Sequence, residues 1–306
     1  MKVLFVCSGN SLDGKAKTVV NNQALSLQKS GVEVSFYLIK KKGVKGYLEA
    51  VKPLKLLLRK EKFDVVHSHF SLSAFAATLA LRSFKKIPHV VSLMGSDAQV
   101  KGWKRTLTRY LSNKTWKKTI VKSQKMADDL ALTNYEIIAN GVDLDLLKPL
   151  RESVQNKRKI VLFAADPNRE SKNYALAKEA FKTIPTENFE LRVVYNKMHS
   201  ELIYELNQCD CVLLTSKWEG SPNIIKEAMA LNKPIVATKV GDVPMLISNL
   251  DGCFLVEHQA DEVSKAILKA TEAKSTLGRQ RIKELGLDAN AVATRIINIY
   301  KTLNAK

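Results

Sequence analysis

Cysteine is scarce in this chain: 306 residues hold four, Cys7, Cys209, Cys211 and Cys253. Four thiols do not make a disulfide scaffold at this length, and the lone Cys-x-Cys at 209–211 has no second pair to complete a zinc site. Most of them sit in apolar, strand-like runs, which reads as buried reduced thiols. Long apolar runs are missing too. No stretch approaches the roughly 18 residues of a membrane-spanning helix, and the apolar run 3–7 behind Lys2 is too short for the core of an export signal, so a cytoplasmic protein is expected. Repeats, low-complexity tracts and disordered blocks are also absent. The length suffices for two domains of ordinary size, each with its own core.

Acidic residues are few as well: 30 Asp and Glu face 49 Lys and Arg, a net charge of +19. The deficit is lopsided, because residues 1–150 carry 26 basic against 11 acidic residues (+15) and the remainder 23 against 19 (+4). Between Arg82 and Lys125 stand twelve basic residues and one acid, Asp97, and a second basic stretch spans 40–62. Apolar groups interleave both at helical spacing: Trp103, Leu107, Tyr110 and Leu111 in one, Tyr47, Leu48, Val51, Leu54, Leu57 and Leu58 in the other. Basic amphipathic helices bearing Trp and Tyr suit an anionic membrane surface. Nucleic acid would explain only the charge, and is not expected as a partner.

What is present is a rhythm of strands and helices. Apolar strand-like runs at 2–7, 33–39, 64–67, 89–93, 119–121 and 135–139 alternate with helical patterns ending at Ser30, over 47–60 and 74–82, and from Trp103 onward. The polar stretch 151–159 reads as a linker. The rhythm then restarts, with strands at 159–164, 190–195, 211–215 and 234–238 and helices at 173–183, 202–207, 260–273 and 290–303. This predicts an α/β protein of two Rossmann-like, doubly wound parallel-sheet domains, 1–150 and 151–287, facing a central cleft that suits transfer between two substrates.

One segment carries most of the chemistry: Trp218-Glu219-Gly220-Ser221-Pro222-Asn223-Ile224-Ile225-Lys226-Glu227-Ala228-Met229-Ala230. Ser221-Pro222 is a helix-start signal, Ser as N-cap and Pro at the first helical position, behind an apolar strand. Glu219 then lies at the strand's carboxyl end and Glu227 inside the helix. The unpaired N–H groups of the helix start favour an anion, and the two carboxylates accept from hydroxyls. An anion flanked by hydroxyls describes a nucleotide diphosphate sugar.

In order along the chain, Asp64-Val65-Val66-His67-Ser68-His69, Met94-Gly95-Ser96-Asp97, Asn140-Gly141-Val142-Asp143, Lys172-Asn173, the Glu-x7-Glu pair Glu219 and Glu227, and Lys233-Pro234-Ile235-Val236-Ala237-Thr238 resemble a retaining glycosyltransferase of family 4. The likeness is to the bacterial surface-polysaccharide type and covers nearly the whole chain. It implies the GT-B fold, with the C-terminal helix 288–306 returning to the N-terminal, acceptor-binding domain while 151–287 binds the donor. Glu219 would accept from donor-sugar hydroxyls, Glu227 from the ribose, and Lys172 and Arg169 would neutralise the departing diphosphate. Gly220, Ser221, Pro222, Asn223 and Ile224 would line the donor. Gly9, Asn10, Gly14, His67, His69, Gly95, Asp97 and Asn140 would lie on the acceptor side of the cleft. No metal or cofactor is implied, the nucleotide sugar being a co-substrate.

Three departures from the family pattern stand out. Met94-Gly95 replaces the frequent His-Gly, Arg169 stands closer to Lys172 than usual, and Gly241-Asp242-Val243-Pro244-Met245 replaces Gly-Gly-x-Pro-Glu. The chain is also short, which points to trimmed loops on the acceptor side. The expected activity is metal-independent, retaining transfer of a hexose-like sugar from a nucleotide diphosphate to a lipid-linked or glycan acceptor in cell-surface polysaccharide synthesis, at the inner face of the membrane. A sugar-nucleotide epimerase or hydrolase on the same fold, or a sugar- or nucleic-acid-binding protein, are the alternatives.

Overall fold

The computed structural model describes residues 1–9, 14, 16–98, 101–149 and 157–305. The chain divides into two compact units, one of Met1–Gly141 with the C-terminal segment from Ala289, the other Val142–Asp288.

The first unit runs β1 (Lys2–Ser8), α1 (Thr18–Lys29), β2 (Glu33–Ile39), α2 (Gly43–Glu49), α3 (Val51–Lys60), β3 (Val65–His69), α4 (Ser71–Leu81), β4 (His89–Ser92), α5 (Gly95–Ala98), α6 (Trp103–Lys114), β5 (Lys118–Val121), α7 (Gln124–Leu130) and β6 (Tyr135–Ile137). Its six strands are all parallel, in the order β2-β1-β3-β4-β5-β6. The continuous apolar run of β1 follows from burial on both faces. Val3, Phe5 and Cys7 pack with Ala24 and Leu27 of α1 and with Val292, Ile296, Ile299 and Tyr300 of the C-terminal helix. Leu4 and Val6 face the other way, onto Leu54 and Leu58 of α3 and Ala76, Ala77 and Ala80 of α4.

The two basic stretches part company here. The pattern read as one helix over 47–60 is two, α2 and α3, because Pro53 has no N–H to donate and takes the first turn of a new helix. Leu54 and Leu58 of that stripe are core. In α6 the buried positions are Thr108 and Ser112, and Trp103 and Tyr110 stand outward, 57% and 61% exposed.

The second unit runs β7 (Lys159–Phe163), a 3-10 turn (Glu170–Lys172), α8 (Tyr174–Phe181), β8 (Phe189–Val193), α9 (His199–Gln208), β9 (Cys211–Leu214), α10 (Asn223–Ala230), β10 (Ile235–Thr238), α11 (Val243–Ile247), β11 (Cys253–Val256), α12 (Ala260–Ala270) and α13 (Gly278–Glu284); α14 (Ala289–Asn304) then belongs to the first unit. Five parallel strands lie in the order β8-β7-β9-β10-β11. Val161, Phe163, Leu213 and Val236 pack against Ala177 and Ala180 of α8 and Val263 and Ile267 of α12.

The division falls at Gly141 and not at 150. Val142 N donates to Leu287 O (2.9 Å), and the Arg279 guanidinium donates to the carbonyls of Leu144 and Leu147, fastening this segment to the second unit. Most of the expected linker, 151–156, lies outside the described residues.

Candidate active site

In the second unit the chain leaves β7 for β8 on one side and returns to β9 on the other, so the connections after β7 and β9 diverge. Such a switch point leaves a crevice at the strands' carboxyl ends. The connection after β7 ends in the 3-10 turn that carries Lys172, and the one after β9 carries Glu219. Thr215 Oγ1 donates to the carbonyls of Lys172 (3.1 Å) and Asn173 (3.0 Å), and Lys217 N donates to Ser171 O (2.9 Å). Asn173 takes the left-handed backbone (φ +52°) that ends the turn and starts α8, a conformation Asn tolerates better than most residues.

These stitches bring the Lys172 ammonium onto Glu219 Oε1, which also accepts from Ser216 Oγ at 3.0 Å. Each side chain of the pair is 17% exposed. A carboxylate able to accept hydroxyls and an ammonium able to meet an anion therefore share one partly open spot. Arg169 precedes the turn and is exposed; its carbonyl accepts from Lys172 N (2.9 Å).

The start of α10 differs from the expectation. Pro222, not Ser221, is the N-cap, and the helix begins at Asn223. Ser221 does not cap, because its Oγ accepts instead from the buried Lys226 Nζ at 2.9 Å. Pro222 is buried and Gly220, Asn223 and Ile224 are half-buried. One turn into the helix, Glu227 Oε1 meets His199 Nε2, from the first residue of α9, at 3.1 Å. Glu227 raises the His199 pKa above its ordinary value, against the pull of burial. Sequence reasoning missed His199, Thr215, Ser216, Lys226 and Asp242. Two of them left a signal: Asp242 stands in the departure from Gly-Gly-x-Pro-Glu, and Lys226 stands three residues before Met229 and four before Ala230, on the face that packs inward.

In the first unit the acceptor-side candidates fare unevenly. His67 and His69 are wholly buried and hold protein partners, which corrects their reading as contact residues. His67 shares hydrogen bonds with the Tyr300 hydroxyl through Nδ1 and with Ser92 Oγ through Nε2 (2.8 Å), and His69 Nε2 donates to Gln23 Oε1 (2.9 Å). Asp97 is likewise internal, 4% exposed, accepting from Met94 N (2.7 Å) and Ser71 N (3.0 Å); it ties the end of β4 to the start of α4. Gly9 N donates to Ile39 O (3.0 Å), Gly95 opens α5 and is exposed, Gly14 has φ +67°, and Asn140 is half-buried after β6. Asn10 lies outside the described residues.

Among the described residues no three His, Cys, Asp or Glu side chains group as a metal site. Asp143-Leu144-Asp145 is an Asp-x-Asp triplet, but Asp143 Oδ1 accepts from the N–H groups of Asp145 (2.9 Å) and Leu146 (3.1 Å) as a turn does. No helix among the described residues is long and apolar enough to cross a membrane.

Two family models divide the chain between them: glycosyltransferase family 4 matches residues 27–146, and glycosyl transferases group 1 matches 145–273. An uncharacterized glycosyltransferase of Methanocaldococcus jannaschii is 24% identical over 269 residues, covering 79% of this chain and 76% of its own length. The UDP-Gal:alpha-D-GlcNAc-diphosphoundecaprenol alpha-1,3-galactosyltransferase of Escherichia coli is 24% identical over 270 residues, 71% of this chain and 69% of that protein. Among solved structures, the Anabaena protein HepE in complex with UDP-glucose superimposes with a TM-score of 0.79 at 16% identity, over 100% of both chains. The two parallel-sheet units are those of the GT-B glycosyltransferases.

Proposed function

The chain belongs to the glycosyltransferases of family 4 and group 1, and on that premise we propose that it is a retaining, metal-independent enzyme transferring a hexose-like sugar from a nucleotide diphosphate to a lipid-linked acceptor. The observation that carries this reading is the pair of contacts at the switch point of the second unit, Lys172 with Glu219 and His199 with Glu227. Both carboxylates of the Glu-x7-Glu motif are half-buried and already held by a cation or imidazole that a ligand can replace. A donor sugar's hydroxyls would take Glu219 and its ribose hydroxyls Glu227. Lys172, released toward the diphosphate, would meet the charge that grows as the bond from the anomeric carbon to the phosphate oxygen breaks. Arg169 and the N-terminus of α10 would add to that field. The acceptor oxygen then bonds the anomeric carbon on the face the diphosphate leaves, its proton passing to a phosphate oxygen, so that nucleoside diphosphate and glycoside are the products.

A UDP-sugar and a diphosphate-lipid acceptor are supported by what the Escherichia coli relative's name says of that protein and by the ligand of the Anabaena structure. Acceptor binding is assigned to the first unit, whose outward Trp103 and Tyr110 lie on a helix with Lys104, Arg105, Arg109 and Lys114. That face would rest on the anionic inner leaflet and reach a polysaccharide precursor there. Radiolabelled UDP-, GDP-, ADP- and dTDP-sugars, each supplied with a polyprenyl-diphosphate sugar, test the reading. Label entering the lipid phase with the anomeric configuration of the donor is expected. Interconversion of two donors without acceptor would make the protein an epimerase instead.

A further inference from the structure

The departure at Asp242 and the charge at Lys226 explain each other. Lys226 is 1% exposed in α10, and Asp242 is 9% exposed in the connection from β10 to α11. Between them stands Ser221, whose Oγ accepts from Lys226 Nζ at 2.9 Å. Both Asp242 carboxylate oxygens are buried and lack a hydrogen bond of good geometry, so Lys226 is the nearby charge that compensates this carboxylate. The reciprocal effect shows in the protonation of both groups. Burial raises the Asp242 pKa while Lys226 and the Ser221 hydroxyl pull it back, and burial lowers that of Lys226 to about 8 against the opposing fields of Asp242 and Glu227.

The backbone repeats the arrangement. Asp242 N donates to Gly220 O at 3.2 Å. Gly241 is pressed against the same loop, since a Cβ there would stand 2.4 Å from Gly220 O and 2.8 Å from Glu219 O, at φ +55°. The loop that holds Glu219, Gly220 and Ser221 is therefore fastened from beneath at two points. One is main chain to main chain at Gly220, and the other is the buried ammonium, hydroxyl and carboxylate at Ser221.

We propose that Lys226 and Asp242 form a positioning pair, which holds Ser221 and with it the Glu219-to-Asn223 loop in the shape that receives the donor's diphosphate. This deepens the donor-site reading and rests on it. Neither side chain touches the donor; the pair acts through Ser221. A buried charge left alone disturbs its surroundings far more than a matched pair replaced together by uncharged groups of similar volume. Stability and ligand affinity should therefore respond differently to single and double replacement.

The test measures melting temperature, and calorimetric binding of UDP, GDP, ADP and dTDP, for the wild type, Lys226→Met, Asp242→Asn and the double variant. Each single variant should melt lower and bind the preferred nucleotide about tenfold more weakly, Lys226→Met by losing the charge-assisted hydrogen bond to Ser221 and Asp242→Asn by losing the charge that compensates the ammonium. The double variant should regain most of the melting temperature and little of the affinity, because Ser221 stays untethered. Should a single variant fail to fold, Ser221→Ala carries the binding measurement without stranding a charge, and the same loss is expected. Melting losses that simply add, or a double variant that binds as the wild type does, would overturn the inference while leaving the donor site standing. A wild type that binds none of the four nucleotides would refute the donor site itself.

Discussion

Lowering the pH from about 7.5 to about 5 should destabilise the first unit steeply, because three of the chain's five histidines are buried there. His67, His69 and His89 are each 6% exposed or less. Burial pulls all three pKa values down, to about 3 for His69 and His89, with the Lys122 charge adding to the effect at His69. In the unfolded chain each imidazole takes a proton near its ordinary 6.5. A depressed folded value gives stability that is complete above 6.5 and is lost as pH falls below it, since only the unfolded state gains the proton. Between pH 7.5 and 5 this comes to about 2 kcal/mol for each of His69 and His89, and His67 acts in the same direction. A loss of about 4 kcal/mol or more is a large part of a domain's stability. In the second unit His199 acts in the opposite direction, because Glu227 raises its folded value; its contribution is full below 6.5 and disappears as pH rises through that raised value. Urea unfolding can be followed by tryptophan emission, which Trp116, 2% exposed in the first unit, should shift strongly. His89→Gln should flatten the fall by about 2 kcal/mol whatever it does to stability at pH 7.5. Stability that stays level down to pH 5, or a fall that is equally steep in His89→Gln, would refute the argument.

Two further outcomes are expected. Glu227→Ala should weaken nucleotide binding, and Lys172→Ala should lower turnover by at least about tenfold, measured by calorimetry and by label transfer; wild-type behaviour in both variants would remove the donor-site assignments. Liposome flotation should show binding to vesicles containing phosphatidylserine that weakens with salt and is lost in Trp103→Ala/Tyr110→Ala; equal binding by neutral vesicles would point away from the basic face.

The sequence was most legible where one physical rule acted alone. Short continuous apolar runs such as 3–7 and 211–215, bounded by polar residues, fit strands buried on both faces of a parallel sheet, and the structure has β1 and β9 there. Legibility failed where side chains compete for one partner. Ser221-Pro222 carries the local signature of a cap, yet Ser221 answers to Lys226, five residues along and underneath. His67 and His69 have the polarity of site residues at a strand end, and nothing local says that Tyr300, from the far end of the chain, closes over His67. His199, at the start of α9, becomes a partner of Glu227 only in the folded unit, a pairing that no spacing encodes.

The two units offer a comparison that sharpens the functional assignment. Both sheets place their first five strands in the same order, second, first, third, fourth, fifth, so both have a switch point beside the first strand and polar residues at the carboxyl ends. In the first unit many of those groups are consumed internally: His67 by Tyr300 and Ser92, His69 by Gln23, Asp97 by two backbone N–H groups. Burial keeps the histidines neutral, so this end of the sheet is rigid and carries little charge to exchange with a ligand. In the second unit the equivalent end keeps ionic partners at partial exposure, Lys172 with Glu219 and His199 with Glu227. Each of these contacts can be traded for one to a phosphate or a sugar hydroxyl without leaving a buried charge alone. The donor proposed above would suit groups that can trade partners, and the proposed acceptor would fall to the first unit, whose helix α6 joins basic side chains to the outward Trp103 and Tyr110.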